Sequence, residues 1–165
     1  MIREAGYTPD VKHCWLRIET PAPDVAEQLG LGADGEVLST ANVFLADAAP
    51  VIYVVDMIPA KLVRAAYRED ELHGPVYVFL EKRCDQRVEH NIARVSAIAA
   101  DPDLADLLGV DEGAPLHYFE EVGYNADHTP LIYSQEYYRP AFFDFKVIRK
   151  MTTRQYNDRQ LGSNE

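Results

Sequence analysis

The sequence has 165 residues, room for one domain of ordinary size, and 47% of them are hydrophobic, enough to bury a core. Asp and Glu number 27 against 16 Lys and Arg, a net charge of -11, so most of the surface repels a nucleic-acid backbone and direct DNA or RNA binding is excluded as this chain's own task. No apolar run approaches the roughly 18 residues of a membrane span, Met1 opens no signal-peptide pattern, and Cys14 and Cys84 form no disulfide framework, so the expected setting is the reducing cytoplasm.

Along the chain, residues 1–9 read as the remnant of a linker, 10–150 as the domain, and 151–165 as a polar tail. Residues 10–20 alternate imperfectly and suit a strand entering a sheet. Residues 23–30, Pro-Asp-Val-Ala-Glu-Gln-Leu-Gly, then return as Pro-Asp-Leu-Ala-Asp-Leu-Leu-Gly at 102–109, with five of eight positions identical. Each copy predicts a short helix: the proline suits the first turn, Asp24 or Asp103 lies at the positive end of the dipole, and Gly30 or Gly109 ends it. The likeness continues through a second glycine (Gly35, Gly113), an apolar strand start, and a hairpin connection, Ala46-Asp47-Ala48-Ala49-Pro50 or Ala126-Asp127-His128-Thr129-Pro130. Asp47 and Asp127 read as turn formers.

Between the copies, Pro59 ends the first hairpin, and Leu62, Val63, Ala66 and Tyr67 predict a short helix. Val76, Phe79, Leu80 and Arg83 keep helical spacing behind Pro75 and predict another over 76–84. Residues 87–99 predict a strand with Val88, His90, Ile92, Arg94, Ser96 and Ile98 on one face, and 142–149 a last strand, able to pair between subunits. The expected class is α+β: one antiparallel sheet of five to seven strands with helices on one face and an internal pseudo-two-fold repeat.

These residues resemble the UTRA domain, the effector-binding domain of GntR-type transcription regulators of the HutC subfamily, whose fold is similar to that of chorismate lyase. The resemblance rests on Ala26-Glu27-Gln28-Leu29-Gly30-Leu31 followed by Ala46-Asp47-Ala48-Ala49-Pro50-Val51 in the first half. In the second half it rests on Ala105 to Val110, Ala114-Pro115-Leu116 and Ser134-Gln135-Glu136-Tyr137-Tyr138-Arg139, with Phe142 and Phe143 next. Ala5-Gly6-Tyr7-Thr8-Pro9 resembles the linker that follows the family's DNA-binding domain. It implies a small-molecule metabolite effector, a homodimer, and DNA contacts made only through an N-terminal winged helix outside this chain. The sequence departs from the family pattern at Ala48 and His128, where the family has glycine, and near Thr40 and Asn42, where it often has an arginine for an anionic effector. An effector less charged than a sugar phosphate is therefore expected.

Strand parity selects the candidate contacts. Ser134, Glu136 and Tyr138 share one face of the second hairpin, and the duplication sets Val54, Asp56 and Ile58 against them. Placed beside Arg94 and His90, this face offers hydrogen-bond donors and acceptors together. The resemblance carries over to Ser134 and Tyr138; Glu136, Asp56, Asn42, Thr40, Arg94 and His90 complete the expected ligand-binding set. Six of the eight have a plainer reading: Glu136 with Arg94 as a cross-strand ion pair, Tyr138 as core, His90 as a surface or packed histidine, Thr40 and Asn42 as ordinary strand residues. No cofactor is expected, and the five histidines show no metal-ligand spacing. The competing functional reading is a stand-alone enzyme like chorismate lyase, with Arg94, Arg87 and Glu136 around an anionic substrate.

Overall fold

The computed structural model describes residues 1–32 and 34–148. Six strands form one antiparallel sheet: β1 (Pro9–Glu19), β2 (Val37–Ala46), β3 (Ala49–Pro59), β4 (His90–Ala99), β5 (Pro115–Tyr124) and β6 (Pro130–Tyr138). Their order across the sheet is β1-β2-β3-β6-β5-β4. That order is the duplication made visible: β1-β2-β3 is one repeat, β4-β5-β6 the other, and they meet antiparallel at β3 and β6. Val55 pairs with Gln135, its own counterpart in the repeat, so the pseudo-two-fold axis passes through that pair.

The two repeats clasp one another. α1 (Pro23–Gln28) and α3 (Pro102–Leu108) both end in a left-handed glycine, Gly30 at φ 60° and Gly109 at φ 61°. In both, the next residue's N–H reaches back to a helical carbonyl, Leu31 to Ala26 and Val110 to Ala105, closing the helix end. A Cβ on Gly30 would lie 3.9 Å from Pro130, and one on Gly109 3.9 Å from Pro50. Each helix end therefore rests on the hairpin of the other copy. α1 buries Val25 and Leu29 against Val37, Val122 and Tyr133; α3 buries Leu104, Ala105 and Leu108 against Leu116.

The expectation of helices on one face describes α1 and α3. A third helical segment, α2 (Val76–Phe79) running into a π-turn (Leu80–Cys84), lies across the opposite face. Val76, Phe79, Leu80 and Cys84 pack there on Leu38, Ile58 and Ile132. The segment 76–84 is thus helical as its spacing predicts, and the half-buried Arg83 near its end pairs with Glu71 at 2.6 Å.

Three expectations need correction. The helix expected from Leu62 to Tyr67 is absent; 3-10 turns at Ala60–Leu62 and Glu69–Leu72 flank an irregular stretch. Leu62, Val63 and Tyr67 still reach the core, so apolar spacing was read as helix where a winding connection packs the same side chains. No strand forms over 142–148, and residue 149 lies outside the described residues. Phe142, Phe143 and Phe145 instead pack onto Tyr7, Phe119 and Tyr138, because a turn (Phe142 N–H to Arg139 O) redirects the chain over the sheet. Finally, the segment before residue 10 is not detached: Ile2 is buried against Ile52, Val54 and Tyr138.

Candidate functional site

Sheet register defines the site. Directly paired residues share a face, so each rung of the sheet is a row of neighbouring side chains. One row reads Thr40, Asp56, Ser134, Glu121; the next Asn42, Val54, Glu136, Phe119; the next Phe44, Ile52, Tyr138, His117. This is the face opposite α1 and α3. The non-repeated connection from β3 to β4 covers one end of it, and the N-terminal residues and the 142–145 segment approach the other. Between them lies a cavity of about 1010 Å³. Its walls are largely apolar, from Val11, Phe44, Ile52, Val54, Phe119 and Phe145, with Asp56, Glu121, Glu136 and Tyr138 as convergent polar groups.

Three carboxyl groups in such walls repel one another and lose water. Asp56 is buried, and loss of solvation pushes its carboxyl up to about 7, aided by the charges of Glu136 and Glu121 and opposed by Ser134. Ser134 Oγ donates to Asp56 Oδ1 at 2.6 Å; no other side-chain hydrogen bond to Asp56 forms among the described residues. Glu121 is likewise pushed up to about 7, by burial first and then by Glu136. Glu136 is raised by burial although the Tyr138 hydroxyl donates to it. Tyr138 is held in place by the rings of Phe119, Phe143 and Phe145, at centroid separations of 5.2, 5.2 and 5.0 Å. Arg3, at the margin, is the one arginine or lysine among the lining residues.

Of the expected contacts, Asp56, Glu136 and Tyr138 line the cavity, and Ser134 lies beside Asp56. The duplication set Val54, Asp56 and Ile58 against Ser134, Glu136 and Tyr138; because β3 and β6 run antiparallel, the partners are instead Val54 with Glu136, Asp56 with Ser134 and Ile52 with Tyr138. Arg94 and His90 are on the wrong face. Arg94 pairs with Glu120 and Glu120 with Gln135, so all three share the side of α1 and α3. The ion-pair partner of Arg94 is Glu120, at 3.5 Å, not Glu136. His90 stacks on Tyr124 at 5.4 Å and meets His128 edge-on. Asn42 is also corrected as a ligand contact. Its amide nitrogen donates to Leu72 O and its oxygen meets His13, each at 3.0 Å, which uses both ends of the side chain. Thr40 is buried beside Asp56 with its hydroxyl unpartnered among the described residues, and it does not line the cavity.

Glu121, Phe119, Tyr77 and His73 were missed. Parity on β5 holds the signal for the first two, but using it requires the length of the second hairpin loop. That loop runs over five residues, Asn125 to Thr129, where Asn125 Oδ1 accepts from Asp127 and Thr129 N–H groups. The first loop has two, Asp47 and Ala48, both left-handed at φ 47° and 70°.

A duplicated sheet that gives one face to two helices and the other to a wide apolar cavity with a few convergent polar groups is the layout of a small-molecule-binding domain. The chain belongs to the UTRA domain family, whose sequence model matches residues 4–144. It is 29% identical over 159 residues to the HTH-type transcriptional regulator Rv0792c of Mycobacterium tuberculosis, covering 92% of this chain and 56% of that protein. The chain thus spans little more than half of that relative. Its fold is that of the effector domain of PhnF from Mycobacterium smegmatis (TM-score 0.78, 18% identity, 91% of this chain and 92% of that one). A GntR-family transcriptional regulator from Enterococcus faecalis superposes similarly (TM-score 0.75, 24% identity, 84% and 99%). No helix among the described residues is long and apolar enough to cross a membrane.

Proposed function

We propose that this chain is the small-molecule effector-sensing and dimerisation domain of a bacterial GntR-type regulator of the HutC subfamily, acting in the cytoplasm. The observation that carries the reading is the cavity over the β2-β3-β6-β5 face of a UTRA domain. Its relationship to an HTH-type transcriptional regulator of which it covers 56% supports a DNA-binding partner domain supplied outside this sequence. The net charge of -11 fits that division of labour. Asp56, Ser134, Glu136 and Tyr138 contact the effector, with Glu121 added from β5. Their acidity disfavours phosphate and carboxylate ligands and suits one that donates hydrogen bonds or carries positive charge. Ligand binding favours one arrangement of the domain, and a homodimer passes that preference to paired DNA-binding domains.

The enzymatic alternative asks for cations beside Glu136. Arg94 lies across the sheet from it, and Arg87 is an exposed residue 3.6 Å from Glu89, so neither supports that reading. The test is a thermal-shift screen of the chain against sugars, nucleosides, amines and phosphorylated metabolites. A saturable rise in melting temperature that is lost in Glu136→Gln supports the reading; no rise with any class refutes it. An assay for 4-hydroxybenzoate release from chorismate is expected to give none.

A further inference from the structure

A second group of side chains lies beside the cavity and is independent of the effector reading. His13 projects from β1 onto the cavity face, just before the bulge at Cys14. Its partner Asn42 cannot be turned round, because the Asn42 nitrogen must donate to Leu72 O. The Asn42 oxygen therefore faces His13 Nδ1 at 3.0 Å, and an acceptor there requires the imidazole proton on Nδ1. The neutral ring then presents its lone pair at Nε2. That atom is buried and has no hydrogen-bond partner among the described residues. Glu69 Oε1 lies 3.3 Å away, off the line of a hydrogen bond from Nε2, so the two ligand atoms are neighbours without being bonded to one another.

The third member is His73, whose ring stacks on His13 at 4.2 Å. Ligand atoms of His13, Glu69 and His73 all lie within 4.8 Å of one another. A tetrahedral ion with bonds of about 2.0–2.1 Å holds its ligand atoms roughly 3.3 Å apart, which is the His13–Glu69 spacing. The backing is of the usual metal-site kind: an amide oxygen on the far ring nitrogen fixes both tautomer and ring plane. Glu69 and His73 flank a single 3-10 turn, and Leu72 within it is buried and receives the Asn42 bond. His73 is exposed, so turning its ring from stacking to coordination disturbs no core residue. Chain spacing concealed the group, since His13 and the 69–73 turn are brought together only by the fold.

We propose that His13 Nε2, Glu69 and His73 bind a divalent transition metal ion of the zinc class, with its remaining coordination open to the cavity that His73 also lines. Two imidazoles and one carboxylate favour zinc over the oxygen-seeking magnesium and calcium. The ion staples the 60–89 connection to β1 and sets a positive charge at the margin of an acidic cavity.

The test uses the full chain, freed of metal with a chelator and titrated with zinc chloride or magnesium chloride by calorimetry and thermal shift, with cobalt(II) absorption as a spectroscopic check. The expected result is one zinc per chain, a raised melting temperature, no response to magnesium, and cobalt ligand-field bands of a four-coordinate site. Glu69→Gln and His73→Ala, both at exposed positions, each weaken zinc binding by about tenfold or more and keep the metal-free melting temperature. His90→Ala, in the separate His90–His128 pair, leaves binding unchanged. Absence of binding at micromolar zinc overturns the proposal. Binding that survives both Glu69→Gln and His73→Ala, or that disappears in His90→Ala, overturns it equally.

Discussion

Replacing Asp56 by Asn tests the electrostatics of the cavity floor through stability. The Asp56 carboxyl moves from 3.8 to about 7 on folding, chiefly from loss of solvation. Three units at about 1.4 kcal/mol each give roughly 4 kcal/mol as an upper limit. The sign follows from proton counts. Below pH 4 the group is protonated in both states and contributes no penalty. Between pH 4 and 7 the unfolded chain gives up the proton that the folded chain keeps, so stability falls as pH rises, and above pH 7 the loss is complete. Asn keeps the shape and can still accept from Ser134 Oγ through its amide oxygen. Urea denaturation of both proteins from pH 4.5 to 8, followed by circular dichroism, should show Asp56→Asn gaining on the parent by about 2–4 kcal/mol across that range. The difference reports Asp56 together with its repulsion of Glu121 and Glu136, which the substitution also removes. Profiles that stay parallel within about 0.5 kcal/mol would refute a buried, proton-holding Asp56.

Other substitutions probe the scaffold. Ala48→Gly should raise stability by about 1 kcal/mol with an unchanged urea slope, because Ala48 sits at φ 70° in a two-residue hairpin turn; a loss would contradict that turn. Arg139→Ala removes donations from one guanidinium nitrogen to Pro50 O (2.8 Å) and Leu108 O (3.3 Å), which join the first hairpin to the end of α3. It should cost about 1.5–3 kcal/mol in urea denaturation. Phe79→Ala empties a site 1% exposed against Leu38 and Ile58 and should lower stability by about 3–5 kcal/mol, visible as a drop in melting temperature. A small loss there would place α2 off the sheet.

The duplication made the fold legible. Repeated Pro-Asp and Leu-Gly signals fixed two helices by local chemistry, and each hairpin followed from apolar runs around a turn. Legibility ended where tertiary register took over. That Ser134, Glu136 and Tyr138 share a face was legible because two-residue periodicity within one strand needs no other information. Arg94 and His90 were misplaced because their face depends on how β4 pairs with β5, and Glu121 on the second loop. Asn42 was legible as a polar strand residue, but its use by His13 and Leu72 depends on a connection that no repeat constrains. The same holds for 142–145, where aromatic runs suited to a strand found a better partner in the Tyr138 ring.

The most direct test of the account is a titration followed by NMR, using a ligand that raises the melting temperature. Saturable shifts should appear at the amides of Val54, Asp56, Glu121, Ser134 and Glu136, while Arg94, His90 and the residues of α1 and α3 stay still. Shifts centred on Arg94 and His90, with the Asp56–Glu136 face silent, would put the binding site on the other side of the sheet and contradict it.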